Sequence, residues 1–410
     1  MNWEAKFSSD AGAIKASEIR ELLKVLADPG IMSFAGGIPD PALFPMLQAG
    51  RIAENLAAEP DRDCQAMQYS QTEGYPPLRH WIAEHHSTPC VTLGTENILV
   101  TNGAQQSLML LASALINGGQ TIAVAEPTYL GALQVFGTRR ARYMPIETDR
   151  DGLVMESLES ACKNGARLLY TIPDYQNPGG FSLSEDRRRR VVELAHRYDV
   201  TVLEDAAYRS LYYDAPPPPS LLELEGEYLG PGQWDDRGRI IQLGTVSKTL
   251  MPGLRVGWTI APRILLERLV LLKQASDLHT ATYNQILAHE LARDILDRHV
   301  GTLRQVYGQR RDSMVSALQQ YLPDGVDFTE PEGGMFVWLT LPTGMDAKPL
   351  LEKALAEEKL AFVPGAAFHA NGGGENTLRL SFATCSAEDI TDGMKRLSAL
   401  IRREYLAIAA

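Results

Sequence analysis

Short apolar segments alternate with helical stretches through the middle of the chain. Both faces of these segments are apolar, which is typical of strands buried in a mostly parallel sheet. The predicted strands are Asn97–Thr101, Thr121–Ala125, Leu168–Ile172, Thr201–Leu203, Ile240–Gly244 and Val256–Ile260. Helices are expected between them, at Gln105–Ile116 and near Ser184–Tyr198. Ser182 and Glu185 have the spacing of a capping box at the start of the second helix.

The pattern changes after about residue 290. A long charged stretch predicts a helix, and shorter helix and strand patterns follow it, which is typical of a smaller α+β domain. These elements are helix Leu291–Tyr321, strand Phe336–Leu341, helix Ala347–Glu358, strands Leu360–Val363 and Leu378–Phe382, and a final helix. We therefore expect residues 1–45 to form an arm and part of the small domain, 46–290 a large α/β domain, and 291–410 the small C-terminal domain.

Two other stretches have a distinct pattern. The segment Asp214–Gly238, which includes Pro216–Pro219, is rich in Pro and Gly and is expected to be a surface excursion. Near the N-terminus, apolar residues form a helical stripe beside Arg20. The stripe consists of Ile19, Leu22, Leu23 and Leu26.

Length and charge restrict the classes of function. A chain of 410 residues is too long for one small core, which agrees with two domains. It carries 39 basic and 51 acidic residues, a net charge of −12. An acidic chain gains little from binding DNA or anionic lipid, so no nucleic-acid or membrane partner is expected. The apolar run Leu108–Ile116 is much too short to span a bilayer.

The cysteines indicate a reducing compartment. The four of them lie far apart without CxxC spacing, which disfavours a zinc site and a disulfide framework. No metal is expected. The first residues contain no apolar segment of a signal peptide, so the cytoplasm is the expected location. The cysteines are Cys64, Cys90, Cys162 and Cys385.

Lys248 is the first candidate for chemistry. It lies at a predicted strand-to-loop junction, behind Thr245 and Ser247 and ahead of Arg255. Its amine can form a Schiff base with a carbonyl cofactor, while the two hydroxyls and the guanidinium can hold a phosphate. This is what pyridoxal phosphate requires. A solvated surface lysine, and a surface ion pair for Arg255, are the alternatives.

A pyridine ring that accepts electrons needs a buried carboxylate at its nitrogen. Asp205 ends a predicted strand, where a sheet presents groups to a ligand, although it would also suit a helix N-cap. Tyr208 could reach the phenolic oxygen of the same ring. Asn177 offers that oxygen a donor, unless Asn177-Pro178-Gly179 is an ordinary turn.

Three further positions complete the candidate site. Gly103-Ala104-Gln105 lies where a strand gives way to a helix, so its N–H groups can receive a phosphate. Tyr129 could stack on the ring or could be a core tyrosine. Arg379 lies between apolar neighbours on a predicted strand and could form the fork for an α-carboxylate.

Taken together and in this order, these motifs resemble the fold-type I pyridoxal-phosphate aminotransferases of class I/II, nearest to the α-aminoadipate/kynurenine branch. The resemblance covers essentially the whole chain. It is carried by residues 17–24, 33–39, 68–75, 333–338, 362–365 and 371–380 as well as the Lys248 motif. It implies a large domain with a mostly parallel seven-stranded sheet flanked by helices and a smaller α+β domain.

The resemblance also implies a role for each matching residue. Lys248 would hold the cofactor covalently and then move a proton between the substrate Cα and the cofactor. Arg379 would clamp the α-carboxylate, and Asn177 would contact both substrate and cofactor. Gly37 lies on a segment that closes over the substrate, and Arg20 matches a mobile arginine that can meet a side-chain carboxylate. The rest of the cofactor shell is Gly103, Ala104, Gln105, Tyr129, Asp205, Tyr208, Thr245, Ser247 and Arg255.

A homodimer with active sites shared between subunits is implied as well, because Tyr69 matches a tyrosine that reaches the cofactor phosphate of the other subunit. Two positions depart from the family pattern. Asn177-Pro178-Gly179-Gly180 has glycine where threonine is usual, and Thr245 replaces a serine. The second change keeps a hydroxyl and the first leaves Asn177, so neither alters the expectation.

The sequence therefore predicts a ping-pong aminotransferase. The expected donors are 2-aminoadipate or glutamate, and aromatic or branched-chain amino acids as well, with 2-oxoglutarate as a suitable acceptor. A β-lyase or decarboxylase on the same site remains an alternative, because these reactions share a carbanion. Two more hypotheses stay open at this point, a cofactor-sensing regulator and a cofactor-free Schiff-base enzyme.

Overall fold

The computed structural model describes residues 3–8, 11–12 and 30–409. Arg20 and the predicted apolar stripe beside it lie outside the described residues. Among the described helices, none has an apolar stretch long enough to cross a membrane.

An eight-stranded sheet forms the larger part of the fold. Its strands are β2 (Ile98–Thr101), β3 (Thr121–Glu126), β4 (Arg142–Asp149), β5 (Gly152–Leu153), β6 (Leu168–Thr171), β7 (Thr201–Asp205), β8 (Ile240–Thr245) and β9 (Gly257–Ile260). Five strands run parallel in the order β8-β7-β6-β3-β4. At one edge β9 pairs antiparallel with β8 and β2 pairs antiparallel with β9, so β2 has the direction of the parallel strands, and at the other edge β5 pairs antiparallel with β4. The α/β class is confirmed, and the two-residue strand β5 extends the seven strands expected.

Helices cover both faces of this sheet because its strands alternate between two apolar cores. On β3, Ile122 and Val124 belong to one core, while Ala123 and Ala125 belong to the other. The helices in this part of the chain are α1 (Met46–Ala57), α2 (Pro60–Met67), α3 (Pro76–His86), α4 (Ala104–Leu115), α5 (Leu130–Gly137), α6 (Met155–Lys163), α7 (Glu185–Tyr198), α8 (Leu221–Leu229), α9 (Trp234–Arg237) and α10 (Arg263–Ser276).

A four-stranded antiparallel sheet forms the smaller part, in the order β10-β11-β14-β13. The two-residue strand β1 pairs in parallel with β12, so a segment before residue 45 joins the C-terminal part of the chain. The elements here are β1 (Met32–Ser33), α11 (Thr282–Tyr321), β10 (Asp327–Phe328), β11 (Phe336–Thr340), α12 (Ala347–Lys353), β12 (Leu360–Ala361), β13 (Val363–Pro364), β14 (Thr377–Ser381) and α13 (Ala387–Ala409). Helix α11 has 40 residues and packs along α13.

Several predicted elements differ from the structure. The stretch Asp214–Gly238 contains α8 and α9, and the apolar residues Leu222 and Trp234 are buried rather than on the surface. The prolines at the start of this stretch favoured the prediction of a loop, although an amphipathic helical pattern follows them in α8. Strand β4 was not predicted, because most of its side chains are polar or partly exposed.

Smaller corrections concern helix and strand ends. Ser182 forms no capping box, because its hydroxyl accepts the N–H of Tyr175 and Ser184 is the N-cap of α7. The predicted strand Leu360–Val363 is two short strands that pair with different partners. The predicted helix Ala347–Glu358 ends in a π-helical turn, Ala354–Glu358.

Candidate active site

Asp205 ends β7 and is 4% exposed at the carboxyl edge of the sheet. The Tyr170 hydroxyl donates to its Oδ2 at 2.8 Å, and the Ala207 N–H donates to its Oδ1 at 3.3 Å. Burial raises the pKa of Asp205, whereas these two hydrogen bonds and the charge of Lys248 lower it. A buried carboxylate with this surrounding suits a protonated ring nitrogen.

Lys248 follows β8 and points towards the same region. Its Nζ donates to the carbonyl of Gly37 at 2.8 Å and lies 5.7 Å from the centre of the Tyr208 ring. Burial, and next the positive charge of Arg379, lower the pKa of Lys248 from 10.5 to about 8. A large fraction of this amine is therefore neutral near pH 8, as a nucleophile or a proton acceptor must be.

A chain of hydrogen bonds joins the two sheets beside Lys248. Arg379 donates from Nη1 to Oδ1 of Asn177 at 2.8 Å, and Asn177 donates from Nδ2 to the Tyr208 hydroxyl at 3.3 Å. All three side chains are buried. Asn177 thereby connects a cation on β14 with a phenol beside β7.

The Arg379 guanidinium lies between aromatic rings and has spare donor capacity. It donates from Nη2 to the Ala35 carbonyl at 2.8 Å and lies 4.3 Å from the Phe336 ring centre and 5.0 Å from that of Phe368. Its Nε is buried without a hydrogen-bond partner among the described residues. Burial lowers the pKa of Arg379 to about 10. This arrangement suits a carboxylate ligand.

The start of α4 and the loop after β8 meet to form an anion cradle. Gly103, the N-cap of α4, has φ +76°, and a Cβ there would collide with Nη2 of Arg255. Arg255 donates to the carbonyls of Asn102 and Pro252. The Gln106 N–H donates to the Gly103 carbonyl, whereas the N–H groups of Ala104 and Gln105 precede the first turn's hydrogen bonds, so these two and the Arg255 guanidinium can hold a phosphate.

Hydroxyl groups line the same cradle. The Thr245 and Ser247 hydroxyls lie 2.8 Å apart, and the Ser247 N–H donates to Thr245 Oγ1 at 3.1 Å. Gln105 donates from Nε2 to the Gly131 carbonyl at 2.9 Å, and its Oε1 lies 3.4 Å from the Tyr129 hydroxyl. The structure therefore brings the lysine motif, the start of α4 and Tyr129 together.

Tyr129 lies between the cradle and the rest of the site. Burial, and next the charge of Asp205, raise its pKa, whereas Arg379 and Arg255 lower it. The pKa of Tyr129 is thus affected by the negative charge of Asp205 and by the positive charges of Arg379 and Arg255. Gly37 lies on the opposite side, where a Cβ would be 3.1 Å from the Phe336 ring and 3.6 Å from Arg379 Nη2.

Tyr69 does not share these contacts. Its side chain is 79% exposed, and its ring meets His279 edge to face at 6.0 Å between centres. Three further residues, Tyr170, Phe336 and Phe368, contact the candidate site residues but were not predicted to do so from the sequence. The position of Tyr170 follows from the pairing of β6 with β7. Tyr170 lies opposite Leu203, two residues before Asp205 on the neighbouring strand, so its side chain is on the same face of the sheet as Asp205.

A family model for class I and II aminotransferases matches residues 47–397. The chain belongs to this family. The aminotransferase is 41% identical over 403 residues to the 2-aminoadipate transaminase of Thermus thermophilus, covering 98% of each chain. It is 40% identical to aromatic-amino-acid aminotransferase 1 of Thermococcus litoralis, covering 98% of this chain and 96% of that one.

A solved structure gives the same result. The crystal structure of an α-aminoadipate aminotransferase from Thermus thermophilus, in complex with N-(5'-phosphopyridoxyl)-L-leucine, is 40% identical with a TM-score of 0.91 and full coverage of both chains. Fold type I and transamination of amino acids are thereby confirmed, and pyridoxal phosphate is the cofactor of this aminotransferase. The residues present fit that group, since a buried carboxylate, an amine of lowered pKa and an anion cradle surround one cleft.

Proposed function

We propose that this aminotransferase takes its amino group from 2-aminoadipate or glutamate, accepts aromatic and branched-chain donors as well, and passes the group to a 2-oxo acid such as 2-oxoglutarate. One observation carries this proposal: Arg379, Asn177 and Tyr208 form a continuous hydrogen-bonded chain beside the Lys248 amine. The similar proteins named for 2-aminoadipate and for aromatic amino acids support this choice of donors.

Each residue has a proposed role that follows from its position. Bound pyridoxal phosphate supplies an electron-accepting ring that makes the substrate Cα proton acidic. Asp205 would keep the ring nitrogen protonated, and Tyr208 and Asn177 would bind the phenolic oxygen. Tyr129 would cover the ring. The phosphate would be held by Gly103, Ala104, Gln105, Thr245, Ser247 and Arg255.

Lys248 would hold the cofactor covalently at rest and, once the substrate amine has taken its place, would be free to move a proton. Its pKa of about 8 in the ligand-free chain suits an amine that would accept the proton from the substrate Cα and donate it to the cofactor carbon that carries the substrate nitrogen. Arg379 fixes the α-carboxylate, with Asn177 also contacting the substrate, and so orients the Cα–H bond towards Lys248. Gly37 leaves room for the substrate where a side chain would press on Phe336.

We also propose a homodimer with shared sites. Tyr69 is exposed, and a phenol at this place can donate to a phosphate in a second subunit. A Tyr69→Phe variant should bind pyridoxal phosphate more weakly while its sedimentation stays that of a dimer. A monomeric wild-type enzyme with full activity would contradict this.

For the domain division proposed from sequence, 1–45, 46–290 and 291–410, the pairing of β1 with β12 supports placing part of the first segment with the small domain. The second boundary falls inside α11, which begins at Thr282 rather than at the predicted Leu291 and runs without a break to Tyr321. A cytoplasmic location is proposed as well, supported by the four unpaired cysteines.

A panel of amino donors with 2-oxoglutarate tests the substrate proposal. An Arg20→Ala variant should lose activity with 2-aminoadipate and glutamate and keep activity with leucine or phenylalanine. Equal loss for both classes would contradict the role of Arg20. The similar proteins named above are a transaminase and an aminotransferase, which does not favour a lyase, a decarboxylase or a regulator. Detection of pyridoxamine phosphate after addition of one amino acid alone separates transamination from the first two.

A further inference from the structure

We propose that Glu126 and His369 form a polar clip between the two sheets that positions Arg379 for the substrate carboxylate. Glu126 is the last residue of β3 in the large sheet. His369 follows the turn Gly365–Phe368, which lies between β13 and β14 of the small sheet. His369 Nδ1 and Glu126 Oε1 are in hydrogen-bond contact, with side-chain exposures of 14% and 22%.

A second link lies next to the clip. The Thr128 N–H donates to the Phe368 carbonyl at 2.9 Å, so two neighbouring positions on each side of the cleft are joined. Phe368 is fully buried, and its ring centre lies 5.0 Å from the Arg379 guanidinium. On the side of the large sheet, Thr128 is followed directly by Tyr129. The clip therefore connects the residue proposed to stack on the ring with the residue proposed to hold the carboxylate.

The surroundings leave each partner of the clip dependent on the other. Glu126 Oε2 and His369 Nε2 are both buried without a hydrogen-bond partner among the described residues. A Cβ on Gly374 would collide with the imidazole, so that loop packs flat against the ring. The Trp338 ring lies on another side, 6.2 Å from the imidazole centre. With the imidazole held in this slot, its contact to Glu126 fixes the turn that carries Phe368.

The clip is expected to act mainly through substrate binding, because it leaves the groups proposed to transfer the proton in place. Lys248 and Asp205 make their hydrogen bonds to Gly37, Tyr170 and Ala207, and neither side chain of the clip takes part in them. If the turn shifts, the Phe368 ring moves and the Arg379 fork no longer points at the carboxylate site. An interaction that stabilises the bound substrate equally in the ground state and in the transition state affects KM and not kcat. Removing it therefore raises KM and leaves kcat nearly unchanged.

The clip depends on the proposed role of Arg379, and its test uses the holoenzyme. Glu126→Gln and His369→Asn should each raise KM for glutamate by about fivefold or more and change kcat by less than about twofold. Hydrogen exchange of residues 365–371 should become faster in both. The exchanged variant Glu126→His/His369→Glu should bring KM part of the way back to the wild-type value, because it restores the same pair in the opposite sense.

Two matched pairs serve as controls. His196 contacts Glu225 at 2.7 Å in another buried pair, so His196→Asn should lower the melting temperature and leave KM unchanged. His80 and Glu84 form an exposed pair at 3.1 Å, so His80→Asn should change neither quantity.

The outcomes separate the clip from the role of Arg379. Unchanged KM and unchanged hydrogen exchange in Glu126→Gln and His369→Asn would overturn the clip. A lower melting temperature in these variants without any change in KM would overturn it as well. If Arg379→Ala itself leaves KM unchanged, the proposed carboxylate site is wrong. If hydrogen exchange of residues 365–371 becomes faster in the two clip variants while KM stays unchanged, the clip holds the turn but has no effect on substrate binding, and the proposal is overturned.

Discussion

Arg379 on the small sheet donates from Nη1 to Oδ1 of Asn177 on the large one, across 2.8 Å. Asn177 donates its amide N–H to the Tyr208 hydroxyl, so one side chain contacts both the proposed carboxylate site and the proposed ring-oxygen site. An asparagine suits this position. Its short amide side chain accepts from one neighbour and donates to the other at the same time.

Replacing Asn177 should damage both sites together. In Asn177→Ala, Arg379 and Tyr208 lose their shared partner in a buried place, which costs about 1.5–3 kcal/mol for a bond to a charged group. We expect kcat/KM for glutamate to fall by about 10-fold to 100-fold. Steady-state kinetics measure this, with Asn164→Ala, an exposed asparagine, as the control. Full activity in Asn177→Ala would contradict the shared role.

Tyr170 should set the acid limb of the pH profile through Asp205. Its hydroxyl lowers the pKa of Asp205 by a hydrogen bond at 2.8 Å. Tyr170→Phe removes this bond, so the pKa of Asp205 rises further, and the carboxylate is lost at higher pH. The acid limb of kcat/KM should therefore move to higher pH. Tyr198→Phe is the control, because Tyr198 makes a similar bond to Glu159 away from the site. The same limb in both variants would refute this link.

Gly103 should be needed for the anion cradle for two reasons, its positive φ and the lack of a side chain next to Arg255. Gly103→Ala adds strain of about 1 kcal/mol at φ +76° and also drives Cβ into Arg255. Gly119 has φ +81° with nothing near its Cβ position, so Gly119→Ala adds the strain alone. We expect Gly103→Ala to weaken pyridoxal-phosphate binding by about 10-fold or more and Gly119→Ala to leave it unchanged. Equal cofactor affinities, measured by titration, would contradict the cradle.

The buried Lys248 amine should destabilise the cofactor-free protein at neutral pH. Its folded pKa of about 8 is below the ordinary 10.5, so the folded state binds this proton less tightly than the unfolded chain. The penalty is fully present below pH 8 and disappears as the pH rises towards 10.5. Lys248→Met should raise the free energy of unfolding at pH 7 by at most about 3 kcal/mol.

Urea unfolding of the cofactor-free proteins at about pH 7 and about pH 10 measures this difference, which should fall to about a quarter of its size at the higher pH. The control is Lys348→Met, since Lys348 is exposed. A gain that is equal at both pH values would show that the amine is not responsible.

The sequence predicted the parts of the fold that have a strong pattern. The parallel strands were visible because both their faces are apolar, and Lys248, Asp205 and Asn177 were found because each follows such a strand. Strand β4 and helix α8 were missed, since exposure and prolines weaken their patterns. The positions of Phe336 and Phe368 around Arg379 depend on how the two sheets meet, which no local pattern encodes.

Lys248 is the residue proposed to join the cofactor, and every other role in the site depends on this bond. Reduction of the holoenzyme with borohydride, followed by peptide mapping, identifies the lysine that forms it. The phosphopyridoxyl group should be found on Lys248. The sharpest comparison is Lys273, another buried lysine, which is held by Asp277 at 2.9 Å. A label on Lys273 or on any lysine other than Lys248 would contradict the account.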